Sequence, residues 1–295
     1  PHLPFHAPQE FYDLYTTDNI SLPVHRSFPV DGPSIAFHDN NGHPDVASPW
    51  IPLPDQRTRE IRHQYMAAVS FMDAQLGKVL GALDDLGLTD TTAVIFHSDH
   101  GWQLGEHNSW RKMTVFELGT RVPLAISVPW LPQSHSKRST QLVEMIDILP
   151  TACALAGVPL PTNQSYDGVS LVPLLDGTPA APKNSSFSQY PRVMAQPDLV
   201  RPFPQPPPNA SVLWIDNRAG SNNRSTFYAV GHSMRTDEWR YSEWVRWNAS
   251  ADAPAWDLPL VGRELYNHTN DIVGDLDNSE FINLANDPHY ADVVT

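Results

Sequence analysis

Between Phe96 and Lys112 the chain reads Phe-His-Ser-Asp-His-Gly-Trp-Gln-Leu-Gly-Glu-His-Asn-Ser-Trp-Arg-Lys. Adjacent Asp99 and His100, freed by Gly101, can turn toward one cation and offer it a carboxylate oxygen and an imidazole nitrogen or a neighbouring oxygen. Lys112 is one of only four Lys in the chain and follows a loop long enough to fold back over that pair. Its ammonium would there hold an anionic group beside the metal and stabilise charge developing on its oxygens. Taken alone, Ser98-Asp99-His100-Gly101 fits an N-cap with a surface histidine equally well. A triad of Ser98, Asp99 and His100 is the poorer reading, because sequence neighbours rarely form that geometry. Neither a Gly-x-Ser-x-Gly elbow nor a His-Glu-x-x-His zinc motif occurs.

These residues need elements to hold them. The segment starts at the end of the apolar run Ala93-Val94-Ile95-Phe96. That run is short, β-branched and unbroken, which predicts a strand buried on both faces of a parallel sheet. Open α/β sheets present their ligand crevice at such a strand end. Ahead of it, Ile61, Tyr65, Ala68, Met72, Leu76, Val79, Leu83 and Leu86 recur in steps of three and four and predict a helix closed by Gly87. The apolar run from Pro123 to Pro129 reads as a second strand. Val143 to Ala156 reads as helical, with Pro150 early in a helix starting near Asp147 and Gly157 closing it. Residues 1–56 are Pro-rich and lack periodicity, so they read as extended chain wrapped on a scaffold. The stretch from Pro159 to Asn209 reads as long surface connections. Aromatic alternation over Thr226–Val230 and Trp239–Trp247 then predicts antiparallel strands with one packed face. The chain thus divides into a larger α/β unit, 1–179, and a smaller α+β unit, 180–295.

Composition sets bounds on function. The 295 residues are 41% hydrophobic and carry a formal charge of −14, which argues against a nucleic-acid partner held by phosphate contacts. No apolar run is long enough to span a membrane. A single Cys excludes an internal disulfide framework and any multi-cysteine metal site, and Cys153, within Ala-Cys-Ala-Leu-Ala, reads as a small core residue. Protonating the 13 His would bring the charge close to zero, so the surface field changes strongly toward acid. Seven Asn-x-Ser/Thr sequons stand at Asn19, Asn163, Asn184, Asn209, Asn223, Asn248 and Asn267, where composition alone gives about two. They point to a glycoprotein of the secretory route, lysosomal or extracellular, with these seven positions at the surface.

Residues 93–128 resemble the sulfatases of the alkaline-phosphatase-like superfamily. The likeness extends through Pro1-His2-Leu3-Pro4-Phe5, the helix from Arg57 to Leu86, Val143 to Thr151, Ser188-Gln189-Tyr190-Pro191-Arg192, Gly231 to Thr236 and Arg263 to Asn267. It implies an α/β, alkaline-phosphatase-like sulfatase fold, a central mixed sheet flanked by helices, with a smaller C-terminal antiparallel α+β subdomain. The implied activity is that of a divalent-metal sulfuric ester hydrolase, an exosulfatase removing sulfate from a sulfated saccharide of glycosaminoglycan type. Asp99 and His100 match the family's late pair of calcium-site residues, so one Ca2+ is the expected cation. Lys112 matches the lysine that grips the sulfate, and His2 the histidine that contacts the sulfate and the leaving-group oxygen. The family's nucleophile is a formylglycine, installed by the formylglycine-generating enzyme on a Cys-x-Pro-x-Arg motif. Cys153 precedes Ala154, Leu155 and Ala156 and cannot be that precursor. The resemblance therefore implies that these residues are the later part of an enzyme and are inactive alone, with the nucleophile and further metal aspartates upstream.

Trp102, His107 and Trp110 are candidates for lining the sugar pocket, against ordinary core packing for the tryptophans. Met113 and His6 stand where the pattern calls for an aromatic residue and an Arg, and the region from Thr162 to Gly168 has no cysteine, so substrate choice stays open. A phosphodiesterase or phosphonate hydrolase of the same superfamily and a non-catalytic saccharide-binding protein are the competing readings.

Overall fold

The computed structural model describes residues 2–37, 51–179, 183–193, 223–271 and 279–294. After the short helix α1, Gln9–Tyr12, its spine is α2, Asp55–Asp85. This helix starts ahead of the predicted Ile61 because Pro54 directly precedes its first turn and Asp55 complements the helix dipole there. It ends as predicted: Gly87 takes φ +65° and the Leu88 N–H donates to the Leu83 carbonyl at 2.9 Å.

The opening segment lies against this helix, as its composition predicts. The Tyr15 hydroxyl and Ser70 Oγ are 2.5 Å apart. His63 uses both ring nitrogens: Nε2–H donates to the Tyr12 carbonyl at 2.8 Å, which leaves Nδ1 to accept from the Thr17 hydroxyl at 2.8 Å. Phe5, Leu53, Ile61, Ala68 and Trp110 form one buried cluster where segment, helix and the 98–112 loop meet.

β1, Val94–His97, and β2, Leu124–Ser127, pair antiparallel with Val94 opposite Ser127 and His97 opposite Leu124. This corrects the expectation of a parallel strand buried on both faces. β1 is only part-buried, and no further strand joins this ribbon among the described residues. An unbroken β-branched run reports a strand but not the direction of its neighbour. Between the two strands lies α3, Glu117–Thr120. Helix α4, Ile148–Leu155, starts after Asp147, whose carboxylate accepts from the Glu144 N–H at 2.8 Å; Lys183 bonds both acids, at 2.6 and 2.7 Å. Pro150 sits in its first turn as predicted, and Cys153 is free and half-buried. The short helix α5 spans Val172–Asp176.

The aromatic segments form the second sheet together with Ser186–Val193, a strand that corrects the reading of that stretch as surface connection. β3, Ser186–Val193, pairs with β4, Phe227–Arg235, which pairs with β5, Trp239–Asn248; all are antiparallel. The far edge of β5 takes β6, Ala253–Pro254, at one end and β7, Gly262–Asn267, along the other. A final short helix, α6, spans Ala291–Val294. Period-two alternation puts Ala229, Trp244 and Tyr266 on one face, where they pack with Phe28, Ile35, Phe37, Val115 and Phe116. The sheet and the segment just after Lys112 therefore share one core. No described helix is long and apolar enough to cross a membrane. Asn19, Asn163, Asn184, Asn223, Asn248 and Asn267 are exposed, and Asn209 lies outside the described residues.

Arg192 of β3 is buried in that core. It donates to the carbonyls of Ile35 and Ala36 at 2.9 Å each and of Met113 at 2.8 Å, and its guanidinium lies 4.8 Å from the Trp244 ring centroid. Each carbonyl left without a donor costs about 1–3 kcal/mol. Arg192→Met should therefore lower stability in urea unfolding by about 3 kcal/mol or more. A loss below about 1 kcal/mol would mean that other donors replace the guanidinium.

Candidate active site

The chain leaves β1 at His97 and forms a turn held by its own side chains. Ser98 Oγ donates to the His100 carbonyl at 2.8 Å, and the His100 N–H donates to Asp99 Oδ1 at 3.1 Å. The Gly101 N–H then donates to the Gly119 carbonyl of α3 at 3.1 Å. The approach is so close that a Cβ on residue 101 would lie 2.1 Å from the Leu118 carbonyl oxygen. Only glycine fits there, so this contact fixes the turn carrying Asp99 and His100 relative to α3.

From Trp102 the chain makes an excursion and comes back. The Gln103 N–H donates to the Arg111 carbonyl and the Gly105 N–H to the Ser109 carbonyl, each at 2.8 Å. Pairing 103 with 111 puts 102 beside 112. The tip is clamped to α2 by Arg62, which ion-pairs with Glu106 at 2.9 Å, while Glu106 Oε2 accepts from the Leu104 N–H at 2.5 Å. Arg192 holds the other arm through the Met113 carbonyl.

The result is a convergence on one ring. Lys112 Nζ lies 5.1 Å from the Trp102 ring centroid, a cation–π contact. The rings of His2 and His100 each lie 6.1 Å from the same ring, which rests on Phe5 and Tyr65. His2 from the opening segment, and His100 and Lys112 from the two arms of one loop, are thus gathered with Asp99 beside them. Burial pushes the Lys112 ammonium below its usual range, as does the Arg111 charge, while Asp99 opposes both. For Asp99, desolvation is the largest single influence and acts upward, but His100, backbone N–H donors and the Lys112 charge together outweigh it and hold its carboxyl below its usual value.

The donor chemistry of Asp99 and His100 suits a cation. His100 Nδ1 lies 2.8 Å from the Gly101 carbonyl, an acceptor, so Nδ1 carries the proton. Nε2 then faces Asp99 Oδ2 at 3.2 Å, two acceptors opposed unless a proton or cation lies between them. The Asp99 side chain is 81% exposed and reachable. Hard divalent ions take six to eight oxygen ligands. The pair therefore fits as part of a coordination sphere and is too small to be the whole.

Two predicted pocket residues lie elsewhere. His107 is buried: its Nε2 meets the Ser279 carbonyl at 3.2 Å and its ring packs 4.6 Å from Phe116. Burial pushes its pKa down. Trp110 is buried in the cluster beneath Trp102. Both pack the underside of the loop because the 105–109 turn points its side chains inward.

A charged network that motif reading missed lies behind α3. Glu117 pairs with Arg235 at 3.2 Å and, more closely, with Arg240, which also reaches Glu280 at 2.6 Å; His268 meets Glu280 at 3.2 Å. Burial would raise the Glu117 carboxyl, but Arg240, Arg235 and His268 bring it to about 2. Glu117, His268 and Glu280 could by geometry hold a metal ion. Two guanidiniums already occupy those carboxylates, so the cluster is an ion-pair core. Its sequence signal was charged residues within otherwise buried strands and turns.

With this fold and site, the chain belongs to the sulfatase family, whose family model matches residues 1–158. It is 33% identical to mouse iduronate 2-sulfatase over 301 aligned positions, 85% of this chain and 51% of that protein. The chain spans about half the length of the curated relatives it matches. Among solved structures it is similar to a phosphonate monoester hydrolase from Silicibacter pomeroyi, with a TM-score of 0.68 and 24% identity over all of this chain and 52% of that one. It is also similar to a 2-O GAG sulfatase, with a TM-score of 0.61 and 20% identity over all of this chain and 49% of that one. At these identities the structural likenesses establish the fold alone: an alkaline-phosphatase-like α/β architecture.

Gly101→Ala should force the turn off α3, because the added methyl meets backbone on two sides. Overpacking of this kind costs about 1–3 kcal/mol or more. The expected outcome is a lower unfolding midpoint. A variant of wild-type stability would show that the turn does not depend on this contact.

Proposed function

We propose that this chain supplies the cation-facing and sulfate-facing residues of a sulfuric ester hydrolase that removes sulfate from a sulfated saccharide of glycosaminoglycan type. The observation that carries the reading is the gathering of His2, His100 and Lys112 around the Trp102 ring, with Asp99 beside them. Membership of the sulfatase family gives the ester class, and the similarity to iduronate 2-sulfatase supports the saccharide.

Lys112 binds the sulfate anion by charge. Its partial burial strengthens that attraction, because the ammonium is less screened than at a free surface. Asp99 and His100 would supply part of the coordination sphere of a divalent cation, Ca2+ in this proposal, whose positive charge would offset the negative charge on the sulfate oxygens. His2 is exposed at the rim and donates a proton to the departing alcohol oxygen as the sulfur–oxygen bond breaks. Trp102 gives the sugar an apolar surface, and its own position is set by Phe5 and Tyr65. The attacking oxygen is a hydroxyl of a hydrated formylglycine on a segment outside these residues, made there by a formylglycine-generating enzyme, and it bonds to sulfur as the alcohol leaves.

In the enzyme that includes that segment, Lys112→Ala should lower aryl sulfate turnover by about 10²–10³-fold, as for loss of one preorganised oxyanion contact, with little change in unfolding midpoint. An unchanged rate would remove the assigned role. A wild-type enzyme that turns over an aryl phosphonate faster than an aryl sulfate would favour the phosphonate hydrolase reading instead.

The proposed setting is lysosomal or extracellular, supported by the exposure of the six described sequon asparagines. Expressed through a secretory pathway, the chain should lose mass on enzymatic removal of N-linked glycans. No mass change would contradict that setting.

A further inference from the structure

His268 follows β7, and its side chain is fully buried. Its Nδ1 lies 2.6 Å from Asp271 Oδ2 and its Nε2 3.2 Å from Glu280 Oε1. A neutral imidazole has one N–H and could satisfy one of these carboxylates while opposing a lone pair to the other. Both contacts are donations only when both nitrogens are protonated.

The surrounding charges favour the same. Glu117 faces this group from α3, Arg235 from β4, Arg240 from β5, Asp271 from the turn after β7 and Glu280 from the 279–281 segment. Behind Glu280 lie the His107 ring, whose pKa burial pushes down, the Tyr266 hydroxyl and Glu264, whose carboxyl burial pushes up to about 7. Three carboxylates against two guanidiniums leave one negative charge in a buried cluster, and an imidazolium cancels it. Burial acts to lower the His268 pKa, but its bonds to Glu280 and Asp271 raise it above its usual value.

The cluster reaches the candidate site by direct contacts. Glu280 Oε2 accepts from the Glu117 N–H at 2.6 Å, the first residue of α3. Two residues on, the Gly119 carbonyl accepts from Gly101, next to His100.

We infer that His268 is a positioning residue for the candidate active site: as an imidazolium between Asp271 and Glu280 it fixes α3, and through α3 the turn that carries Asp99 and His100. The site is then held firmly in acid and loosens when the proton leaves. The sign follows from linkage. A group whose pKa is raised by folding contributes its full stabilisation below its unfolded value, about 6.5, and loses it as pH rises through the folded value. The importance of the turn rests on the proposed hydrolase, whereas the protonation and its reach to Gly101 do not.

The test is a titration of the whole chain with 15N-labelled histidine and backbone amides, from about pH 5 to about pH 9. His268 should stay doubly protonated to a midpoint above about 6.5, and the Gly101 and Glu117 amide shifts should move with that midpoint. His268→Gln should abolish the shared step in both amides. If that variant does not fold, the wild-type titration decides. A His268 ring that is neutral at pH 6, or amides that stay still while it titrates, would overturn the inference. Failure of the Lys112 rate test would leave this result untouched, so the two readings fail separately.

Discussion

The candidate site depends on a backbone constraint: the excursion from Trp102 to Lys112 closes on itself. Two main-chain hydrogen bonds, Gln103 to Arg111 and Gly105 to Ser109, bring the ends of the loop together. A lysine ten residues along the chain is thereby returned to the tryptophan it left. Without that closure the ammonium would sweep a large volume of solvent, and holding it over the ring would cost the side-chain and backbone entropy of the whole loop. The fold meets this cost in advance. Arg62 clamps the tip to α2 and Arg192 bonds the Met113 carbonyl from the second sheet.

These anchors give the second sheet a purpose beyond its own core. Trp244 and Tyr266 pack against Phe116, Arg192 reaches across to three carbonyls, and Arg235 and Arg240 grip Glu117. The contacts to Met113, Phe116 and Glu117 end within a few residues of Lys112, and those to Ile35 and Ala36 hold the opening segment against the same core. Buried ion pairs seldom add much net stability, because desolvation offsets attraction. Their value here is placement: removing either sign would leave an uncompensated charge beneath the loop, so alternative arrangements of α3 are disfavoured.

Much of this was legible in the residues. Steps of three and four marked α2, and aromatic alternation marked β4 and β5. The Asp99-His100-Gly101 turn with Lys112 pointed to one centre, because a carboxylate, an imidazole and an ammonium have a shared chemical use there. What could not be read depends on which side of a backbone faces inward. Trp102 and Trp110 are the same residue type eight positions apart, yet one lies beneath the ammonium and the other is packed below it. His107 looked like a pocket residue until the turn at 105–109 buried it against Ser279. The direction of β1 was hidden for the same reason: its composition carries no record of its partner. The ion-pair core joins residues as far apart as Glu117 and Glu280, and no local spacing connects them.

The central claim is that separate stretches of chain meet at one indole ring, and nuclear Overhauser contacts in solution test it most directly. With Trp102, Lys112 and the histidines selectively labelled, the indole protons should show cross-peaks to the Lys112 methylenes and to the ring protons of His2 and His100. Cross-peaks from Trp102 to Phe5 and Tyr65 alone, with none to Lys112 or to either histidine, would contradict the account.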